Sequence, residues 1–150
     1  MIKLKKKTPI IDQHDNFGFY GNKFGGNYCA ETMRKPIEDL SKLFEKLRKD
    51  RKFLKKRDHY FKHYLGGETP FFKLENLTRH LGGAQIWCKD VSAINGDAHK
   101  AYHATVNALI CKESGKRYIA GDTGAGMCGK NLAMAAKKMN LNCKIFMGTK

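Results

Sequence analysis

The sequence predicts an α/β fold, a parallel sheet flanked by helices in three layers. From Gln85 onward, short strand-like runs alternate with helix-length amphipathic segments, and the connections between them are short. A glycine-rich turn, Gly124-Ala125-Gly126-Met127-Cys128-Gly129, separates one such strand from the next helix. Parallel sheets place their ligands beyond the carboxyl ends of the strands, where a turn of this kind would lie.

Residues 1 to 35 carry aromatics and glycines without a steady period, as in Phe17-Gly18-Phe19-Tyr20-Gly21, and read as an irregular arm packed on the body. Residues 36 to 84 read as helical. Ile37, Leu40, Leu43, Phe44 and Leu47 recur every three or four residues behind Pro36, a good first-turn residue, which predicts a helix from about 36 to 49. A second helix follows to Leu65, stopped by Gly66-Gly67, and a short third surrounds Leu74, Leu77 and Leu81 before Gly82-Gly83. Residues 85 to 150 read as a βαβαβ unit. Its strands are expected at 85–89, 117–121 and 142–148, and its helices at 98–114 and 129–139, with Gly115 as a C-cap. Tyr102, Thr105, Val106, Leu109 and Ile110 form the expected inner face of the first helix. The chain stops at Lys150, directly after the third strand, which leaves an edge open and suggests a missing remainder or an oligomeric partner.

With 150 residues and 41% apolar content, the chain suits a single domain, 1–150, with a real core. The formal net charge of +15 would suit a polyanion. Between Arg34 and Lys62, however, twelve basic and five acidic residues interleave with apolar ones at helical spacing, the pattern of solvated helix faces. No recognition motif accompanies the charge, so nucleic acid is not the expected partner. Five cysteines, odd in number and lacking Cys-x-x-Cys spacing, argue against a disulfide framework and a structural zinc site. No signal peptide follows the basic Met1 to Lys7, and no apolar run is long enough to span a bilayer, so a soluble cytoplasmic protein is expected.

The chemistry centres on Lys100. In Gly96-Asp97-Ala98-His99-Lys100 it stands at an expected helix start, where the helix dipole and partial burial both favour the neutral amine that attacks an aldehyde. The pairing of this lysine with the downstream glycine loop looks like a pyridoxal phosphate site. Successive backbone N–H groups of this loop, at the amino end of the next helix, would hold an anion, such as the carboxylate of an amino acid. Asp122, just upstream, could act there as an acid or base if it is buried. His99 reads as a phosphate neighbour at the helix start. The loop also satisfies G-x-G-x-x-G, yet no acidic residue for a ribose stands among Met147, Gly148, Thr149 and Lys150. His99 with His103, and His59 with His63, are four apart but lack a third ligand, so no metal is expected.

In their order these segments resemble the beta chain of tryptophan synthase, a pyridoxal phosphate enzyme of the fold type that includes threonine synthase and cysteine synthase. The matching residues run from Lys23-Phe24-Gly25-Gly26-Asn27-Tyr28 through Glu31-Thr32-Met33 and Pro36-Ile37-Glu38-Asp39-Leu40. They continue with Tyr64-Leu65-Gly66-Gly67-Glu68-Thr69-Pro70, Leu81-Gly82-Gly83-Ala84, Ala98-His99-Lys100, Asp122-Thr123-Gly124-Ala125-Gly126 and Ile145-Phe146-Met147-Gly148. The resemblance covers only the N-terminal portion of such enzymes. It implies that Lys100 holds pyridoxal 5'-phosphate, with His99 near the phosphate. It also implies that Thr123, Gly124, Ala125 and Gly126 bind the carboxylate of L-serine, which is joined to indole to give L-tryptophan. Asp122 stands where the family has a glutamate that manages protons, and Met127 and Cys128 replace a glutamine and a histidine. The implied partners are the alpha chain and a homodimer mate or completing chain. A shortened, non-catalytic relative serving as an interaction module, and a basic nucleic-acid binder, are the other readings.

Overall fold

The computed structural model describes residues 10–15, 17–21 and 23–148; Met1 to Lys7, Thr149 and Lys150, on which several expectations fell, lie outside them. The chain divides into two compact units, Met1–Asp39 and Leu40–Lys150.

In the first unit the aromatic and glycine-rich stretch is partly ordered as a hairpin. β1 (Phe19–Tyr20) and β2 (Phe24–Gly25) pair antiparallel. The carboxylate of Asp15 accepts hydrogen bonds from the backbone N–H groups of Phe17 and Phe19, which turns the chain into β1. Helix α1 runs Glu31–Leu47, so it starts five residues before the expected proline and carries Pro36 inside. The exposed Glu31–Arg34 and Lys35–Asp39 pairs on its first turns offset the missing N–H only weakly.

The second unit holds the rest. Helix α2 (Arg51–His63) is capped by Asp50, whose carboxylate accepts from Lys52 N at 2.7 Å. β3 (Phe71–Lys73), helix α3 (Glu75–Leu81) and β4 (Trp87–Lys89) follow, then α4 (Lys100–Glu113), β5 (Tyr118–Thr123), α5 (Met127–Lys138) and β6 (Asn142–Met147). Gly82 closes α3 in the left-handed conformation, as its position in the sequence predicts.

The fold is mixed α/β, but the three-strand parallel sheet is not formed. The strand expected at 85–89 pairs antiparallel with β3, Phe72 opposite Cys88, in a small sheet of its own. Among the described residues only β5 and β6 run parallel, in register from Tyr118↔Asn142 to Thr123↔Met147. Helices α4 and α5 lie on one face of that pair, where Ile119, Cys143 and Ile145 pack against Leu109, Leu132, Ala135 and Met139. The outward residues Tyr118, Ala120, Asp122, Lys144 and Phe146 are exposed, so the layers here are two and not three.

The inner face of α4 also differs from expectation. Ala101, Ala104, Ala108 and Leu109 are buried with Thr105, whereas Tyr102 and Val106 are only half-buried. Ala135 and Ala136 answer from α5. Small side chains let two helices approach closely, and these alanines supply the seam between α4 and α5. A second cluster, Leu65, Ile94 and Ala101, anchors the segment that leads into α4, with Phe61 and Tyr102 stacked edge-on against it.

Candidate active site

Lys100 is the first residue of α4, where the lysine of an aldehyde-binding site was expected. The chain reaches it through a series of tight turns. Asp90 accepts hydrogen bonds from the backbone and hydroxyl of Ser92, and Asn95 binds the carbonyls of Tyr64 and Leu65, tying the segment to the end of α2. Asp97 N then donates to Ile94 O, with Asp97 in the left-handed region at φ 60°. Ala101 N to Ala98 O and Tyr102 N to His99 O tighten the first turn of the helix. Lys100 itself is half-buried, and its amine meets no hydrogen-bond or ion-pair partner among the described residues. His99 is exposed and makes no capping bond with its side chain.

The glycine loop follows β5. Thr123 ends the strand with its side chain turned inward and 9% exposed. Gly124 and Ala125 are exposed, and Gly126, at φ 89°, starts α5, accepting from Lys130 N at 2.8 Å. Nothing stands within 4 Å of where a side chain would begin at Gly124 or Gly126, so the loop backbone is open to a ligand.

Gly129 and Gly121 have the opposite reason to be glycine. A Cβ at 129 would lie 2.7 Å from Ile145 Cγ2 and 3.0 Å from Thr123 Cγ2, and one at 121 would lie 2.6 Å from Leu132 Cδ2. The absent side chains let α5 settle directly on the two strands, which fixes where the loop ends.

The turn before Lys100 and the start of α5 are joined. Asn131, 3% exposed, donates from Nδ2 to Gly96 O at 3.1 Å and to Met127 O at 2.9 Å. Lys130 Nζ lies 2.7 Å from Asp97 Oδ2. Neither residue was singled out from the sequence. A signal existed for Asn131: a polar residue four positions before Ala135, on the buried stripe of α5, demands partners.

Asp122 does not meet the condition set for it. It is exposed on the outward face of β5, opposite Phe146, while its neighbour Thr123 points inward. Strand alternation causes this, because a residue next to an inward one must point out. Among the described residues no hydrogen bond or ion pair joins Asp122 to Lys100. Met127 is exposed and Cys128 half-buried at the start of α5.

The histidine pairs stay as pairs. The rings of His59 and His63 are 4.7 Å apart on α2, and no three metal-ligating side chains gather among the described residues. A recess of about 640 Å³ lies at the far end of α5, lined by Arg117, Lys137, Asn140 and Asn142, and shares no residue with the Lys100 site. No described helix is long and apolar enough to cross a membrane.

The mixed α/β chain thus carries a lysine amine without a partner among the described residues at one helix start and an open glycine loop before the next helix. No family model matches the chain. It is similar to the tryptophan synthase beta chain of Fusobacterium nucleatum subsp. nucleatum, 39% identical over 131 residues, which are 87% of this chain and 33% of the relative. The resemblance read from the ordered motifs therefore holds along most of the chain, and the chain spans about a third of that relative's length.

The residues present fit the attachment end of pyridoxal phosphate. Lys100 offers a free, half-buried amine, and Gly124 and Gly126 leave space and backbone N–H groups in the adjoining loop.

Proposed function

We propose that the chain is part of a pyridoxal 5'-phosphate-dependent lyase of the tryptophan synthase beta type. Such an enzyme condenses L-serine with indole to L-tryptophan, the last step of tryptophan biosynthesis. The observation that carries this reading is the amine of Lys100 at the start of α4, without a partner among the described residues, in a chain 39% identical over 131 residues to a tryptophan synthase beta chain. We extend it to a cytoplasmic setting, to the alpha chain as partner, and to a second copy or completing chain.

When bound, the cofactor supplies an electron sink for charge developing at the substrate's α-carbon. Lys100 would hold the group at its aldehyde end through its amine, which could also hold or move a proton at the start of α4. His99, at the amino end of α4, would lie near the phosphate. Thr123, Gly124, Ala125 and Gly126 orient the substrate carboxylate with backbone N–H groups at the start of α5. Asp122 is the candidate to move the proton of the serine hydroxyl. Its exposure favours a second reading, in which the chain binds without turning over, because an acid-base carboxylate open to bulk water lacks a water-excluding site.

The test is an absorption spectrum of the purified chain with pyridoxal phosphate, beside Lys100→Ala, followed by borohydride reduction and mapping of the labelled lysine. A visible band that the variant lacks, with the label fixed at Lys100, supports the reading. Equal labelling of both proteins through surface lysines refutes it for this chain.

A further inference from the structure

The Gly96-Asp97 turn is held by two residues that none of the proposed chemistry uses. Asn131 is almost fully buried, yet both of its Nδ2 donor bonds are spent on backbone carbonyls, one before Lys100 and one in the first turn of α5. Its Oδ1 lies where a Cβ at position 96 would stand, 2.0 Å away, so a glycine with φ 111° is what lets the amide in. Next to it, Asp97 adopts a left-handed conformation that is unfavourable for a residue with a side chain, and its carboxylate lies on Lys130 Nζ at 2.7 Å. A left-handed Asp97, a required glycine at 96 and a buried amide at 131 therefore converge on the five residues Gly96 to Lys100.

We propose that Asn131 and Lys130 are positioning residues for Lys100: through Gly96 and Asp97 they fix the start of α4 against the start of α5, and so set the lysine amine relative to the 123–126 loop. This inference rests on the reading of Lys100 as the cofactor lysine. It adds that the two halves of the site, on different helices, are held as one body by this clamp. A ligand that bonds to Lys100 and to the loop together meets ends already spaced, without having to order them.

The experiment titrates the full chain with pyridoxal phosphate, following the visible band and the label fixed at Lys100. The variants are Asn131→Leu, Lys130→Asp, Asp97→Lys and the Lys130→Asp/Asp97→Lys double. Phe53→Leu, remote in the core, serves as a destabilised control. The expected result is an apparent affinity at Lys100 weakened about tenfold or more in Asn131→Leu and in each single charge reversal. The double reversal recovers most of that loss, and Phe53→Leu lowers the urea midpoint without moving the titration. Should Asn131→Leu fail to fold, the exposed charge pair carries the test alone. If the wild type labels Lys100 and the variants titrate like it, or the double gives no recovery, the clamp is overturned and the cofactor reading stands. If the wild type takes no label at Lys100, both fall together.

Discussion

Gly129 and Ile145 meet without room for a methyl group between them: a Cβ on the glycine would come within 2.7 Å of the isoleucine Cγ2. An alanine at 129 would gain about 1 kcal/mol of helix propensity, while overpacking in a core typically costs about 1–3 kcal/mol. Gly129→Ala is therefore expected to lose about 1 kcal/mol net, read as a lower urea midpoint at unchanged slope. Ile145→Val in the same chain should return part of it by removing the methyl that collides.

Thr105, 1% exposed on α4, keeps a buried hydroxyl with no hydrogen-bond partner among the described residues. Burying an unpaired hydroxyl costs on the order of 1–3 kcal/mol, and valine has the same shape without it. Thr105→Val should raise stability by about 1 kcal/mol, and thermal melts followed by circular dichroism decide it. An equal or lower melting temperature would mean that the hydroxyl is satisfied in solution.

The alanine seam makes a sharper contrast. Ala108 is fully buried between α4 and its neighbours, whereas Ala133 is exposed on α5. Ala108→Leu should cost about 3 kcal/mol or prevent folding, and Ala133→Leu should stay within about 0.5 kcal/mol of wild type. Denaturant titration of the two chains is the comparison.

On the alkaline side, burial pushes the thiols of Cys111 and Cys143 above their usual 9.0, though Lys116 draws Cys111 back somewhat, and burial pushes the Tyr64 phenol above 10.0. The unfolded chain then releases its protons first as pH rises. Stability is full below the unfolded values and falls as pH climbs from about 9 through the raised folded ones. The melting temperature should decline above about pH 9, and less steeply in Cys111→Ala/Cys143→Ala, after allowance for the lost packing. A parallel decline in both would assign the effect to other groups.

Helices were legible where periodicity and punctuation agreed. Gly82 ends α3 as read, Gly115 follows the end of α4 in a left-handed conformation, and β5 and β6 lie where apolar runs predicted them. Partnership was not legible. Ile86-Trp87 reads as a strand in any sheet, and nothing in so short a run reveals that its mate is the antiparallel Phe71–Lys73. The inner face of α4 was legible in part: Thr105 and Leu109 are buried as predicted, while close helix packing selects Ala101, Ala104 and Ala108 over Tyr102 and Val106. Asp122 was expected in the loop, but β5 extends two residues further, and the alternation of inward Gly121 and Thr123 turns it outward. Lys100 stands at the start of a helix and the glycine loop between a strand and a helix, as the sequence pattern predicts. Asn131 was missed because its role is visible only once Gly96 lies beside it.

The parallel pairing of β5 and β6 also has a meaning in time. Every rung joins residues 24 positions apart, through a single helix that packs on both strands as it passes. Closing so short a stretch of chain costs little entropy, so β5-α5-β6 can assemble as a folding nucleus before the tie from Asp97 to Lys130 is made. The 123–126 loop thus sits within a unit closed by short-range contacts, whereas the tie from Lys130 to Asp97 spans 33 residues of chain.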